Sequence, residues 1–127
     1  MPPFYTIGTL LGASSVMLGA FGAHGLKKRI ADPARIANWS TAAQYQLIHA
    51  SLLTVTSIVA PQNTLAMGLF TAGIAMFSGS IYALVLDPVR FKFLGPVTPL
   101  GGLCLIGGWV VLAARGKPVW SAVAARK

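Results

Sequence analysis

The stretch "GAFGAHGLKKR", Gly19–Arg29, decides how the chain is read. A run of small and apolar residues reaches His24 and then breaks into three consecutive cations, Lys27, Lys28 and Arg29. Upstream, the sequence stays apolar or small back to Phe4, which gives the roughly 20 residues needed to cross a bilayer core. An apolar helix that stops at a cluster of Lys and Arg is a membrane span ending among lipid headgroups.

Composition agrees. Of 127 residues, 55% are hydrophobic and only 9% are charged, whereas a soluble domain carries about 25% charged residues. Ten Lys and Arg oppose two acidic residues, for a formal net charge of +8. The cations fall in short groups between apolar stretches: Lys27, Lys28, Arg29 and Arg35, then Arg90 and Lys92, then Arg115, Lys117, Arg126 and Lys127. No basic helix face or aromatic-interleaved patch forms, so nucleic acid is excluded as a partner and anionic phospholipid headgroups are expected instead. The N-terminal "MPPFYTIGTLLG" has no positive region before its apolar run, so it is expected to be a first span and not a cleaved signal.

Three further spans follow the first, which covers about 4–25. The second is expected over 39–60, ending at "PQN", and the third over 64–86, ending at Asp87-Pro88. The fourth is expected over 96–114, with Thr98 as N-cap and Pro99 at the first helical position. A short basic tail, 115–127, follows. Asp32-Pro33 is a candidate start for a separate interfacial helix. Thr41 and Gln44 have capping-box spacing, and a helix begun at Asn38 is the alternative. The expected fold is therefore all-α, an integral membrane four-helix bundle of antiparallel spans with short loops. Both acidic residues are spent before prolines in the loops, so no carboxylate remains in the spans for proton-coupled transport or acid–base chemistry.

Small residues at helical spacing point to close packing of these spans. In the first, Gly8, Gly12, Ser15, Gly19 and Gly22 share a face; in the third, Gly68, Ala72, Ala75 and Gly79 do so. The second offers Ala43, Ala50, Thr54 and Ser57, and the fourth Gly101, Cys104 and Gly108. With four spans, both termini and "PQN" lie on one side. The positive-inside rule sets the other two loops, with six of the ten cations, toward cytoplasm or matrix.

The second span carries the most polar run, "WSTAAQYQLIHAS". Tyr45 and Gln46 are four and three residues before His49, within reach of it on a helix. Together with His24 and Tyr82 they form the candidate polar cluster. Its expected role is hydrogen bonding between helices, with His24 closing the first span and Gln46 as its partner. A rival reading makes His24 and His49 axial ligands of a haem. Two histidines at unequal depths, without a third ligand, suit a metal poorly, so no cofactor and no metal are expected. Cys104 has no base to activate it except a nearby His49, and no phosphate loop, zinc signature or nucleophile elbow occurs.

The blocks "GAFGAHGL", "WSTAAQYQLIHA", "GSIYAL" and "LGPVTPLGGLCLIGGW" occur in this order. In them the chain resembles the domain of unknown function 423 family, which takes in the bacterial protein YgdD and the eukaryotic transmembrane protein 256. The resemblance covers about 9–114. It implies a small multi-pass membrane protein in the bacterial plasma (inner) membrane or the mitochondrial inner membrane, and it brings no catalytic role. The family's recurring residues fall on His24, Trp39, Gln46, His49, Gly79, Tyr82, Gly95, Pro96, Pro99 and Gly102. The expected function is non-enzymatic: an accessory or assembly subunit in contact with other membrane subunits. A small oligomeric transporter or channel is the alternative.

Overall fold

The computed structural model describes residues 3–115 and 117–126; Gly116 and Lys127 of the expected basic tail lie outside the described residues. Four long helices and one short one follow in order: α1 (Pro3–Ala23), α2 (Pro33–Val59), α3 (Thr64–Leu86), α4 (Val97–Arg115) and α5 (Val119–Ala124). Short 3-10 turns, Leu26–Lys28 and Lys92–Leu94, precede α2 and α4. No strand occurs among the described residues. The main helix interfaces join chain neighbours, α1 with α2, α2 with α3 and α3 with α4. The molecule is an all-α membrane bundle with α2 and α3 at its centre.

Local chemistry explains the boundaries. Asp32 caps α2, its side chain accepting from Ala34 N at 3.0 Å, and Pro33 occupies the first turn, where a missing N–H costs nothing. A separate interfacial helix is therefore not formed. The Asp32-Pro33 start belongs to α2 itself, and Thr41 and Gln44 lie inside that helix. Asn63 caps α3 by accepting from Ala66 N at 3.3 Å. Asp87 ends α3 ahead of Pro88, and its carboxylate accepts from Arg90 N at 3.0 Å. The α4 helix begins at Val97, so Thr98 is not its cap; the Thr98 hydroxyl is hydrogen-bonded to Ser80 of α3 instead. Pro99 still sits in the first turn, where its absent donor is not needed.

Three segments, Pro3–Lys28, Thr64–Leu86 and Lys92–Arg115, are long and apolar enough to cross a membrane. The α2 helix, expected as a fourth such span, has the length at about 40 Å of rise, but its Ser, Thr, Gln and His residues lower its hydropathy. It runs antiparallel to α1 along most of its length, as the pairings of Trp39 with Leu18, Gln46 with Leu11, and Thr54 with Gly8 show. It therefore traverses the same layer as its apolar neighbours, which cover Gln46 and His49, while Ser40, Thr41 and Gln44 stay exposed.

Two apolar clusters stabilise the bundle. Ala50, Leu53, Ala66, Met67, Phe70, Ile74 and Leu105 form the larger, between α2, α3 and α4. Leu26, Trp39 and Val85 form the smaller, at the end that carries the first loop. The ends are tied across the chain. Arg35 donates through Nε (3.1 Å) and Nη2 to the Val85 carbonyl, which places the first loop beside the end of α3. At the other end Gln62 Nε2 donates to the Lys117 carbonyl at 2.7 Å, holding the start of the tail against the α2–α3 turn.

Close helix approach uses fewer of the expected glycines than their spacing suggests, and uses others. A Cβ at Gly8 would meet the Thr54 side chain and lie 3.0 Å from its backbone N; one at Gly22 would meet the Trp39 indole, and one at Gly108 would lie 2.6 Å from the Phe70 ring. Gly19 makes ordinary contact, 3.9 Å from Ala43 Cβ. At Gly12, Gly68 and Gly79 the added atom would meet nothing within 4 Å. These three are corrections to the expected packing faces. Ala72, Ala75 and Gly79 are exposed, so the small-residue stripe of α3 points away from the bundle. The reason is rotational: Phe70 and Ile74 bring the largest apolar surface of α3 inward, and Gly68 is two residues, about 200° of helix turn, away from Phe70. Gly73 of α3 packs on Leu105 instead, and Gly101 of α4 packs on the backbone of Met76 and Phe77.

Candidate functional site

The bundle interior holds a chain of polar side chains, and each of the four long helices contributes to it. Gln46 on α2 is buried, 4% exposed. Its Nε2 donates to the Leu11 carbonyl (2.9 Å) and to Ser14 Oγ (2.8 Å) on α1. Its Oε1 accepts from the Tyr82 hydroxyl of α3 at 2.7 Å. One amide thus joins three helices, using both amide protons and the carbonyl oxygen. An amide suits this position because it is both donor and acceptor and carries no charge to desolvate.

One turn further along α2, His49 is 5% exposed. Its Nδ1 donates to the Tyr45 carbonyl at 2.7 Å, and its Nε2 accepts from Trp109 Nε1 of α4 at 3.0 Å. A carbonyl only accepts and an indole N–H only donates, so this pattern fits the Nδ1–H tautomer. The Trp109 ring stands edge-on to the imidazole, with centroids 6.0 Å apart and planes at 79°. Phe70 closes the site from α3, 6.0 Å from the imidazole centroid. Tyr45 itself is exposed; it contributes its carbonyl and a ring face to the histidine, and its hydroxyl is not part of the network.

Toward the first loop, Trp39 Nε1 donates to the Leu18 carbonyl at 2.8 Å, and the indole packs on the Tyr82 ring at 4.6 Å. Ser78 Oγ of α3 donates to the Ala42 carbonyl of α2 at 2.7 Å. Half of these inter-helix acceptors, the Leu11, Leu18 and Ala42 carbonyls, are backbone groups that also serve their own helix. Such a second bond satisfies a buried donor without breaking the helical ladder. The arrangement fastens helices together. It holds no carboxylate, and the described residues contain no group of three or more His, Cys, Asp or Glu able to hold a metal.

Of the expected cluster, the structure brings Gln46 and Tyr82 into direct contact and places His49 one turn away. His24 is not among them. It is exposed at the end of α1, and Gln46, its expected partner, is bonded to Leu11, Ser14 and Tyr82. The antiparallel register explains the miss. Gln46 lies level with Leu11 to Ser14, and Gly22 lies level with Trp39. His24 is therefore offset from His49 by about 20 Å of helix rise, too far for both to bind one iron within a chain. Sequence reasoning also passed over Trp109 and Ser14. The usable signal was Trp109 itself, since an indole N–H inside a membrane helix needs an acceptor.

Among the expected headgroup residues, Lys27, Lys28, Arg29, Arg90 and Lys92 are exposed in the two loops. Arg35 is a correction. Its guanidinium is turned inward onto the Val85 carbonyl, where it caps the last turn of α3. Cys104 is half-buried on α4.

The comparisons with known proteins agree with this architecture. Residues 18–102 match the family described as "Protein of unknown function (DUF423)". A UPF0382 membrane protein of Schizosaccharomyces pombe is 40% identical over 114 residues, covering 85% of this chain and 96% of that protein. UPF0382 membrane proteins of Staphylococcus aureus and Bacillus subtilis, the latter YwdK, are each 38% identical, over 116 and 118 residues. Each alignment covers 88% of this chain, with 93% and 94% of the relatives. No solved structure matches the chain. With the family match spanning most of the chain and relatives aligned over nearly their whole length, the chain belongs to the DUF423 family of membrane proteins.

Proposed function

We propose that the protein is a non-enzymatic accessory or assembly subunit of a larger membrane complex. The observation that carries this reading is the division of its small and polar residues between inside and outside. The Gln46 amide, the His49 imidazole and the Trp39 and Trp109 indoles are bonded between helices, which occupies them with packing. The outward face of α3 presents Gly68, Ala72, Ala75 and Gly79 at helical spacing, a surface that lets another membrane helix approach closely. The cationic loops at residues 27–29 and 90–92 favour the cytoplasmic or matrix side. The membrane is the plasma membrane in a bacterium or the inner mitochondrial membrane in a eukaryote.

Mild detergent extraction followed by native electrophoresis and crosslinking tests the proposal. The chain is expected to migrate in an assembly larger than itself, and Ala72→Leu with Gly79→Leu should release it while the fold persists. Migration as a free protomer only, with no crosslinked partner, would overturn the reading.

A further inference from the structure

The outer side of the α1–α2 pair carries a groove of about 910 Å³, bounded at one end by the loop 27–33. That volume lies near the top of the ~300–1,000 Å³ range of sites that enclose small organic ligands. Gly19 and Gly22 supply no side chains to fill it, and Val16, Ile36 and Leu47 form its apolar walls. Lys27 stands at the loop end, and Ser40 and Gln44 lie partway along.

We propose that this groove binds one anionic phospholipid, with the phosphate at Lys27 and an acyl chain along α2 toward Leu47. Charge selects the headgroup. Lys27, Lys28 and Arg29 are exposed in this loop, the Asp32 carboxylate is engaged at Ala34 N, and Arg35 is engaged at the Val85 carbonyl. The mouth therefore presents Lys27 to a headgroup, with Lys28 and Arg29 exposed next to it in the chain.

Length fits the tail. From Pro33 at the mouth to Leu47 is about 21 Å of helix rise, somewhat more than the ~15 Å of one hydrocarbon leaflet. A lipid whose phosphate sits at Lys27 thus reaches the bilayer middle inside the groove. Ser40, about 10 Å of rise from Pro33, lies on the headgroup side of Gln44 in the groove. Gln44 Nε2 donates to Ser40 Oγ at 3.4 Å, so these two polar side chains partner one another beside the acyl chain. The inference needs only that the chain spans a membrane and is independent of any accessory role.

Native mass spectrometry of the full chain, with phosphatidylglycerol or phosphatidylcholine added in turn, tests it. One phosphatidylglycerol should be retained per chain under conditions where phosphatidylcholine is lost. Lys27→Gln should weaken that retention about fivefold. Gly19→Leu should abolish it by filling the groove, since a Cβ there makes only ordinary contact with Ala43. Ala37→Leu, on the opposite wall, provides a second filling variant, and circular dichroism establishes that each is folded. Equal retention of both lipids, retention unchanged in folded filling variants, or a dimer that the filling variants dissociate would each overturn the proposal. The last outcome would give the groove to a second copy of the chain.

Discussion

The two outer helix pairs solve the same packing problem by different means. Between α1 and α2, glycines at 8 and 22 admit the neighbouring helix, and polar side chains then bond across the gap: Trp39 to the Leu18 carbonyl, Gln46 to Leu11 and Ser14. Between α3 and α4, Gly73, Gly101 and Gly108 admit Leu105, the Met76–Phe77 backbone and the Phe70 ring, and among the described residues the inter-helix side-chain hydrogen bond is the single Ser80–Thr98 contact. Lipid tails are as apolar as leucine, so neither pair is held by a hydrophobic driving force alone. The first pair relies on hydrogen bonds with directional demands; the second relies on shape.

Substitutions that attack shape and those that attack polarity should separate the pairs. The largest effect is expected at Gly101, where a Cβ would lie 2.7 Å from the Met76 carbonyl carbon, an atom of the helix backbone. Gly101→Val should cost about 3 kcal/mol or more, read by unfolding in mixed detergent micelles, because neither backbone can yield locally. A cost below that of Gln46→Leu would show that α4 slides to relieve the contact.

Next comes Gln46→Leu, which keeps most of the volume but leaves the Tyr82 hydroxyl without its acceptor. A loss of about 1–2 kcal/mol is expected, above the ~0.6 kcal/mol average for one inter-helix contact in membranes because three partners are affected. Full stability in this variant would mean that the amide network contributes no net energy. The His49–Trp109 bond joins the two pairs, α2 to α4. A double-mutant cycle of His49→Ala and Trp109→Phe should return a coupling of about 0.6 kcal/mol. Zero coupling would reduce their contact to ring packing. The smallest effect is expected at Gly79, exposed and free of neighbours. Gly79→Ala should change the stability of the isolated protein by no more than ~0.5 kcal/mol, with better helix propensity favouring alanine. A loss above that would mean that the α3 stripe is covered by an intramolecular contact.

Much of the helix plan was readable in advance, because it depends on local chemistry. The third span runs over the residues expected for it, Thr64–Leu86, since Asn63 and Asp87-Pro88 act through their immediate neighbours. The start of α2 was misplaced because Asp32-Pro33 reads equally well as the start of a separate short helix, whereas it starts the same helix six residues earlier than Trp39. At the candidate site, the polar residues of α2 and Tyr82 were visible, while the partners Leu11, Ser14 and Trp109 were not.

Hydropathy, breakers and charge clusters by themselves determined a bundle of membrane helices and the ends of most of them. Those properties act over a few residues, and the bilayer imposes the rest by requiring each backbone polar group to be bonded internally. Tertiary structure alone decided which face of each helix turned inward. Rotation of α3 about its own axis set Phe70, Gly73 and Ile74 toward the core and left the more regular Gly68–Gly79 stripe outside. Antiparallel register separated His24 from His49 and gave the buried histidine a tryptophan 60 residues away. Rotation and register follow from the best mutual fit of several helices at once, a sum over long-range contacts that no single stretch of sequence contains.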